Sequence, residues 1–324
     1  MLTSLSIENL RGIRSAKIEG LAPLTVFVGA NGSGKSTVLE AAGLACSDGQ
    51  PQLAMPVLLS REWLGLDGLR FTIGSAGTTV AAVSELGSEP IRVSIRLGEG
   101  IDPLLAQYAH GQGEREPLES VTVNHYRCLL NEDGHVVAAT GSGQGRCPFA
   151  LHSSTLDRPA GARRRFANGH FSSELRTALS AVKLSPWYPQ WLALLKLVRP
   201  SLTSVESIAV GDRDEPFVFE SDGGVSRSYP LAYAGDGFRR SLRTAATLAS
   251  ATGGIAALDE PEAFAHPSLQ GSLAKLIRGA TEKDVQVLVS THSLEFVRTL
   301  AREFEGDALS DTLAGARDER VLSD

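Results

Sequence analysis

No part of the sequence restricts the possible folds as strongly as Gly29–Thr37, which reads GANGSGKST and matches the pattern G-x-x-x-x-G-K-[ST]. The apolar, β-branched run Leu24–Val28 before it is typical of a buried strand, and Val38–Ala42 after it predicts a helix. A phosphate-binding loop requires this order of strand, loop and helix. We therefore interpret the segment as a phosphate loop and not as a glycine-rich turn that enters an ordinary helix.

The chemistry of phosphate binding explains the residue types in this loop. Its glycines let the backbone curl so that several N–H groups point at one phosphate, and the N-terminus of the following helix adds positive potential. We expect Lys35 to reach the β- and γ-phosphates of a nucleotide and the Ser36 hydroxyl to bind Mg²⁺. The residues predicted to hold the nucleotide are Gly29, Asn31, Gly32, Ser33, Gly34, Lys35, Ser36 and Thr37.

Composition limits the class of protein. With 324 residues, of which 42% are hydrophobic and 21% charged, the chain can bury a sizeable core. A net charge of −6 gives no overall positive field for nucleic acid. Three scattered cysteines predict packed thiols in a reducing compartment. Because the sequence shows neither a leader peptide nor a membrane-spanning run, we expect a cytoplasmic protein with no membrane association.

Two carboxylates follow a second buried-type strand. The apolar residues Ile255–Leu258 run into Asp259 and Glu260. In phosphate-loop enzymes a carboxylate at the first position completes the Mg²⁺ site begun by Ser36. The second, Glu260, is predicted to act as a general base on the attacking water, which contributes about 10²- to 10⁴-fold to the rate. Without the phosphate loop upstream, the pair would be better read as the start of a surface loop.

A histidine follows the next apolar strand, Val285–Val289, in the sequence Ser-Thr-His-Ser. We expect His292 to lie near the γ-phosphate, where its imidazole can hydrogen-bond the transferring group. Ser293 is predicted to cap a helix that runs to about Arg302. The predicted catalytic residues are therefore Lys35, Glu260 and His292, and the predicted metal ligands are Ser36 and Asp259.

Between these motifs the sequence predicts a β lobe and a helical piece. The start of the chain reads as a hairpin, with Leu5 and Ile7 on its first strand. Apolar residues at helical spacing occupy 171–198, broken by Pro186 and Pro189, with Trp187 and Trp191 as core residues. Short β-patterned runs predict a small antiparallel lobe: Leu69–Ile73, Val80–Val83, Ile91–Leu97, Leu118–Leu130 and His135–Ala139.

Two clusters in the middle of the chain admit competing interpretations. Four arginines lie within Arg158–Arg165, which is either a grip on a nucleic-acid backbone or, because no aromatic residues are interleaved, a solvated surface. The second cluster fits no structural-zinc spacing and is interpreted as unrelated packed and polar residues. Its members are His125, Cys128, His135, Cys147 and His152.

The motifs taken together resemble those of ABC-type ATPase heads, specifically the soluble OLD-like and RecF/SMC-like branch of AAA family ATPases. The residues that carry the resemblance are Asn9–Ile13, Gly29–Thr37, Gly235–Arg240, Leu258–Glu262 with His266 and Pro267, and Ser290–Ser293. It implies an α/β phosphate-loop NTPase fold, a two-lobed head with an antiparallel β lobe and a helical lobe. One head would then cover 1–324, with a nucleotide-binding core at 1–47 and 201–300 and an insertion at 48–200.

The resemblance also implies that ATP is held between the phosphate loop of one subunit and a signature loop of a second. Gly235, Asp236, Gly237 and Arg239 would contact the γ-phosphate, although a glycine stands where transporter-type loops have serine. Asp236 would repel phosphate unless Arg239 or Arg240 offsets its charge or its side chain caps the helix, and we favour the cap. The segment Pro261–Pro267 would cross the dimer interface. The Q-loop glutamine stays open among Gln50, Gln52, Gln107 and Gln112.

By this resemblance the expected function is that of a head that binds ATP and Mg²⁺, dimerises on ATP and hydrolyses it to drive a partner. DNA maintenance or phage defence is the expected setting, with a nuclease or other effector on a separate chain and DNA as a possible ligand. No nuclease domain and no heptad-rich arms are visible in the sequence. The alternatives are the ATP-binding subunit of a membrane transporter and a nucleotide switch without turnover.

Overall fold

A computed structural model gives the arrangement of most of the predicted core. The structure describes residues 1–47, 51–59, 69, 72–73, 77–84, 91–98, 119–124, 126–130, 136–140, 149–153, 179, 183–184, 188–211, 213–251, 253–263 and 265–305. The strands are β1 Leu2–Leu10, β2 Ile13–Glu19, β3 Leu24–Val28, β4 Thr78–Ser84, β5 Ile91–Leu97, β6 Glu119–Val123, β7 Tyr126–Leu130, β8 Val136–Thr140, β9 Phe149–Ser153, β10 Leu202–Val210, β11 Arg213–Asp222, β12 Val225–Pro230, β13 Ile255–Asp259 and β14 Gln286–Thr291. The helices are α1 Lys35–Cys46, α2 Pro51–Leu59, α3 Tyr188–Val198, α4 Asp236–Ser250, α5 Pro267–Thr281 and α6 Leu294–Glu303, with a short 3₁₀ helix at Leu231–Tyr233.

A parallel sheet carries the phosphate loop. Its strand order is β3-β14-β13-β9. Every residue of β13 and β14 is buried, which explains why both read as continuous apolar runs and not as alternating patterns. Asp259 lies opposite Ser290 on the neighbouring strand, and Thr291 lies opposite Val28. The carboxyl ends of β3, β13 and β14 therefore meet at one edge of the sheet, where Val28 leads into the phosphate loop.

Strand β9 belongs to this parallel sheet, although it lies within the 48–200 range that the sequence places outside the core. Phe149 pairs with Ile255, and Ser153 pairs with Asp259. Five residues of mixed polarity after a glycine-rich stretch carry too little periodicity to predict a strand. Its pairing depends on the exposed edge of β13, which is distant in sequence.

The antiparallel sheet is larger than the predicted lobe. Its order is β2-β1-β4-β5-β6-β7-β8, so the N-terminal hairpin and the strands of the insertion form one sheet. The hairpin is confirmed by the pairing of Leu10 with Ile13. The strand predicted at Leu69–Ile73 is wrong, because Leu69, Thr72 and Ile73 are helical and buried. Residues spaced by three and four lie on one helix face, and so short an apolar run fits either structure.

A third sheet, β10-β11-β12, and helix α3 flank the signature segment. Pro189 does not break the helix, as the sequence suggested, but lies in the first turn of α3, where a missing N–H costs nothing. Trp191 is buried in the core as predicted. One hydrophobic cluster unites α3, α4, α5 and α6 on one face of the parallel sheet. A second cluster lies between the two large sheets and contains most of α1.

One buried glutamine joins the start of the chain to the parallel sheet. The Gln286 amide donates to the carbonyl of Leu2 at 2.8 Å and to that of Ala22 at 3.1 Å. Its Oε1 accepts from the Leu2 N–H at 2.7 Å. Because Gln286 is fully buried, these hydrogen bonds form away from competing water.

Two further expectations concern the described residues. Cys46 and Cys128 are buried thiols, as predicted, and burial raises the pKa of Cys128 to about 12. Within the described part of the chain, none of the helices combines the length and apolar character needed to span a bilayer.

Candidate nucleotide-binding site

The phosphate loop has the backbone that its glycines predict. Gly32 and Gly34 have φ angles of 82° and 86°, in the region that other residues rarely adopt. The Ser33 N–H donates to the Ala30 carbonyl at 3.3 Å and closes a tight turn. Gly34 is the N-cap of α1 and brings no side chain to the first-turn amides. The amides that a helix leaves unsatisfied at its start are therefore available to an anion.

Lys35 is folded over its own loop. Its ammonium donates to the carbonyl of Gly29 at 2.8 Å and to that of Ala30 at 2.7 Å. Both acceptors are neutral, and a cation forms stronger hydrogen bonds with phosphate oxygens. A bound phosphate would therefore compete successfully for these donors while the lysine stays in place.

The N-terminal hairpin supports the loop from behind. A Cβ on Gly34 would lie 3.4 Å from Ile13 Cδ1, so the two segments are in close contact. Arg11 donates from Nε to Glu40 of α1 at 2.8 Å and from Nη2 to the Leu58 carbonyl at 3.1 Å. The segment Asn9–Ile13 thus braces the helix that follows the phosphate loop, a contact that the sequence alone does not reveal.

The predicted metal ligands lie together. Ser36 donates from Oγ to Asp259 Oδ1 at 2.8 Å, across 223 residues of sequence. The Ser290 hydroxyl donates to the same carboxylate oxygen. Hydroxyl and carboxylate oxygens are the hard donors that Mg²⁺ prefers, and Mg²⁺ commonly takes one or two protein ligands beside phosphate and water. In the described residues no cluster of three or more His, Cys, Asp or Glu side chains that could hold a metal occurs.

The two predicted catalytic groups beyond the metal site form a pair. His292 Nδ1 and Glu260 Oε1 lie 3.1 Å apart. Their side chains are 51% and 28% exposed, so both reach solvent. Glu260 has a φ of 47°, an uncommon value for a residue with a side chain, and its N–H donates to the Ser290 carbonyl at 3.0 Å. Strained backbone of this kind is concentrated at functional sites.

A third acid, Glu262, lies behind this pair and has no role in the sequence-based prediction. It is 5% exposed and accepts a hydrogen bond from the Thr291 hydroxyl. Burial raises the pKa of Glu262, and the hydrogen bond from Thr291 opposes that shift. The sequence analysis includes Glu262 in the resemblance motif Leu258–Glu262 and in the segment Pro261–Pro267, but neither pattern distinguishes a buried acid from an exposed one.

The signature segment differs from the prediction at its start. Helix α4 begins at Asp236, and its N-cap is Gly235. The cap that we favoured for Asp236 is wrong, since Asp236 is already the first residue of the helix and pairs with Arg239. The hydrogen bond and the charge of Arg239 lower the pKa of Asp236. The charge of Asp236 is therefore offset by Arg239, the alternative to the cap.

Several predicted features lie outside the described residues. They include the arginine cluster Arg158–Arg165 and Trp187. From the histidine and cysteine cluster they include His125, His135 and Cys147, and from the Q-loop candidates Gln50, Gln107 and Gln112.

Comparison with known families gives two matches that flank the insertion. A family model described as "AAA domain" matches residues 4–55. A second, described as "AAA domain, putative AbiEii toxin, Type IV TA system", matches residues 195–298. The two matches cover the phosphate loop on one side, and the signature segment, Asp259 and His292 on the other.

Individual relatives match over shorter or more divergent stretches. The DNA replication and repair protein RecF of Acinetobacter baylyi is 40% identical over 55 residues, which are 17% of this chain and 15% of RecF. The SMC head domain from Thermotoga maritima is similar at 14% identity with a TM-score of 0.42, over 92% of this chain and 91% of that one. An Smc head from Pyrococcus furiosus, solved with the C-terminal domain of ScpA, gives 13% identity and a TM-score of 0.48 over the same shares.

The fold, the site and the family matches point the same way. A parallel sheet carries a phosphate loop, with a carboxylate beside its serine, and an antiparallel sheet covers the loop helix. AAA domain models match on both sides of the insertion, and RecF matches over a short stretch. The chain therefore has a phosphate-loop NTPase fold whose two core segments, 4–55 and 195–298, are similar to AAA domains.

Proposed function

We propose that this chain binds ATP with Mg²⁺ and hydrolyses it. The observation that carries the proposal is the 2.8 Å hydrogen bond between Ser36 of the phosphate loop and Asp259 at the end of β13. Glu260 and His292, which lie 3.1 Å apart, are the first residues after β13 and β14. This convergence of distant segments at one sheet edge supports a site with a phosphate cradle, two metal-binding oxygens and a potential base.

Each residue has a role that follows from its position. The α1 N-terminus and Lys35 hold the β- and γ-phosphates, and Ser36 and Asp259 hold Mg²⁺, which when bound neutralises charge that develops on the phosphate oxygens. Glu260 orients the attacking water and accepts its proton. His292 hydrogen-bonds the γ-phosphoryl group and, through Nδ1, keeps the Glu260 carboxylate in place.

We further propose that two heads close on ATP and that this closure drives a partner. The first turn of α4 would contribute the second wall of the site, since the Gly235 N-cap leaves helix amides for a γ-phosphate. Arg239 would add positive charge there. The RecF match supports a setting in DNA maintenance, and the description of the second family model is compatible with phage defence. An effector on another chain, a nuclease for example, would supply the final activity.

ATP turnover by the purified protein tests the first proposal. We expect Lys35→Ala and Glu260→Gln to lower kcat by about 10²-fold or more, since each removes a group that acts on the transferring phosphate or the water. Glu282→Gln, directly after α5, is the matched control, because this exposed acid pairs only with Arg278 in the described structure. Equal turnover by all four proteins would show that these roles are wrong.

Dimerisation is tested separately by light scattering. Glu260→Gln should bind ATP without cleaving it, so its mass should double with ATP and Mg²⁺ and stay monomeric with ADP. Gly235→Trp should abolish the doubling, because a bulky side chain at the start of α4 would obstruct the second wall of the site. A monomer under all conditions would refute dimerisation and leave hydrolysis untouched.

A further inference from the structure

Three consecutive side chains at the end of β14 contact three different acids of the segment 259–262. The Ser290 hydroxyl donates to Asp259, and the Thr291 hydroxyl donates to Glu262. The His292 ring lies 3.1 Å from Glu260. The proposed chemistry uses the first and third of these contacts. The contact between Thr291 and Glu262 has no role in it.

The Glu262 carboxyl group is buried in an environment that is energetically unfavourable for it. In the described residues its Oε2 is buried without a hydrogen-bond partner, while Oε1 has Thr291. Burying a carboxyl group with one oxygen unsatisfied is costly, and such groups in native structures require an explanation. An apolar residue could fill the same space without this cost.

The Thr291 hydroxyl links Glu262 to the backbone on the far side of His292. A hydroxyl has one proton to donate, and Thr291 gives it to Glu262. The same oxygen accepts the Ser293 N–H at 2.9 Å. His292 therefore lies between Thr291 and Ser293, which are hydrogen-bonded to each other. The acceptor oxygen of Glu262 sets the direction in which the Thr291 hydroxyl points.

The same acid belongs to the turn that carries Glu260. The Ala263 N–H donates to the Glu260 carbonyl at 3.0 Å, and the Ala265 N–H donates to the Glu262 carbonyl at 2.9 Å. The first of these bonds closes the turn that begins at Glu260, whose φ is 47°. Glu262 thus lies in the same turn as Glu260, and its side chain is bonded to Thr291, the residue before His292.

We propose that Glu262 is a positioning residue that sets the contact between Glu260 and His292 through the Thr291 hydroxyl. This inference rests on the proposed function, since it assumes that Glu260 and His292 act in ATP hydrolysis. The role requires an acceptor oxygen at this position. It does not require a negative charge, which the buried site disfavours.

Steady-state ATPase kinetics of single and double variants test the inference. Glu262→Ala and Thr291→Val should lower kcat by about tenfold while KM changes by less than about threefold, because nucleotide binding does not involve either residue. Glu262→Gln and Thr291→Ser keep the acceptor and the hydroxyl, so both should stay within about threefold of the native kcat. If Glu262→Gln loses as much activity as Glu262→Ala, the charge matters and the inference is wrong.

A double-mutant cycle separates positioning from a general loss of structure. When His292 is already replaced by alanine, Glu262→Ala should lower kcat by less than about twofold more, since Glu262 acts through His292. Glu220→Ala is the matched control, because Glu220 is a buried acid paired with Arg199 in the third sheet, away from this contact. The factor by which Glu220→Ala changes kcat should be the same with and without His292→Ala. If the effects of Glu262→Ala and His292→Ala multiply as well, the inference fails and the proposed function stands.

Amide hydrogen exchange tests the link without ATP. Thr291→Val should speed exchange of the Ser293 N–H by about tenfold or more relative to Thr291→Ser, since only the serine can accept its hydrogen bond. Unchanged exchange would overturn the inference even if Glu262→Ala does not fold. Absence of turnover in the native protein would instead refute the proposed function, and the exchange result would still decide whether the link exists.

Discussion

At the scale of single residues, the site depends on oxygen and nitrogen atoms that converge from distant parts of the chain. Asp259 Oδ1 accepts hydrogen bonds from the hydroxyls of Ser36 and Ser290. Each donor comes from a different strand or helix, so the carboxylate is oriented from two sides. Such orientation favours metal binding because the ligand needs little rearrangement.

Gly34 combines a left-handed backbone conformation with close packing against the N-terminal hairpin. Its φ of 86° disfavours any side chain, and a Cβ would lie in van der Waals contact with Ile13 at 3.4 Å. We expect Gly34→Ala to destabilise the protein by about 1–2 kcal/mol and to weaken binding of a fluorescent ATP analogue. Thermal unfolding and ligand titration measure the two effects.

Gly12→Ala provides the comparison for this prediction. Gly12 lies in the same hairpin as Ile13, but it has no positive φ and a Cβ there would meet nothing within 4 Å. Its stability and affinity should stay close to native. A loss at Gly12 equal to that at Gly34 would contradict the argument from backbone conformation.

At the scale of elements, β14 and α6 form the junction that presents His292. Strand β14 ends at Thr291, and α6 begins at Leu294 with Ser293 as its N-cap. The Ser293 hydroxyl accepts from the Phe296 N–H at 3.2 Å, which confirms the predicted cap. The turn between strand and helix is therefore fixed at both ends.

Removing this cap should weaken α6 specifically. We expect Ser293→Ala to cost about 1 kcal/mol of unfolding free energy, the usual value for losing an N-cap side chain. Chemical denaturation measures the change. Thr299→Ala on the same helix should cost less than about 0.5 kcal/mol, since the Thr299 hydroxyl only bonds back to the Glu295 carbonyl. Equal losses at both positions would show that the hydroxyl of Ser293 does not act as a cap.

Strands were predicted correctly from the sequence where a continuous apolar run was followed directly by a recognisable motif. β13 and β14 are continuous buried runs, each followed by polar site residues. β9 and β12 were missed because these strands are short and their residues are mixed in polarity. What makes them strands is pairing with β13 and β11, which no local pattern records.

At the scale of the whole molecule, the first residues of the chain are hydrogen-bonded to a strand near the other end of the sequence. Leu2 and Ala22 are bonded to Gln286, which is separated from Leu2 by 284 residues. The antiparallel sheet is thereby joined to the parallel sheet at a buried point. Stability of one sheet should therefore depend on the other.

Gln286→Leu tests this coupling. It removes the Gln286 partner of the buried Leu2 N–H and Leu2 carbonyl, while the Ala22 carbonyl keeps the Thr25 hydroxyl at 3.3 Å. Each unsatisfied group costs about 1–3 kcal/mol, so we expect a loss of about 2 kcal/mol or more. Denaturant unfolding measures it. Gln270→Leu is the control, because Gln270 is also buried but its Oε1 has no hydrogen-bond partner in the described residues. A smaller loss at Gln286 than at Gln270 would refute the coupling.

The sequence by itself determined the phosphate loop, the strand ending in Asp259 and Glu260, and the histidine after the next strand. These are local patterns, in which residue type and spacing follow from the chemistry of phosphate and metal binding. Only the tertiary structure decided that Asp236 pairs with Arg239, that β9 completes the parallel sheet, and that Glu262 lies buried against Thr291. Burial and pairing depend on segments far apart in the chain, and they become definite only when those segments pack together.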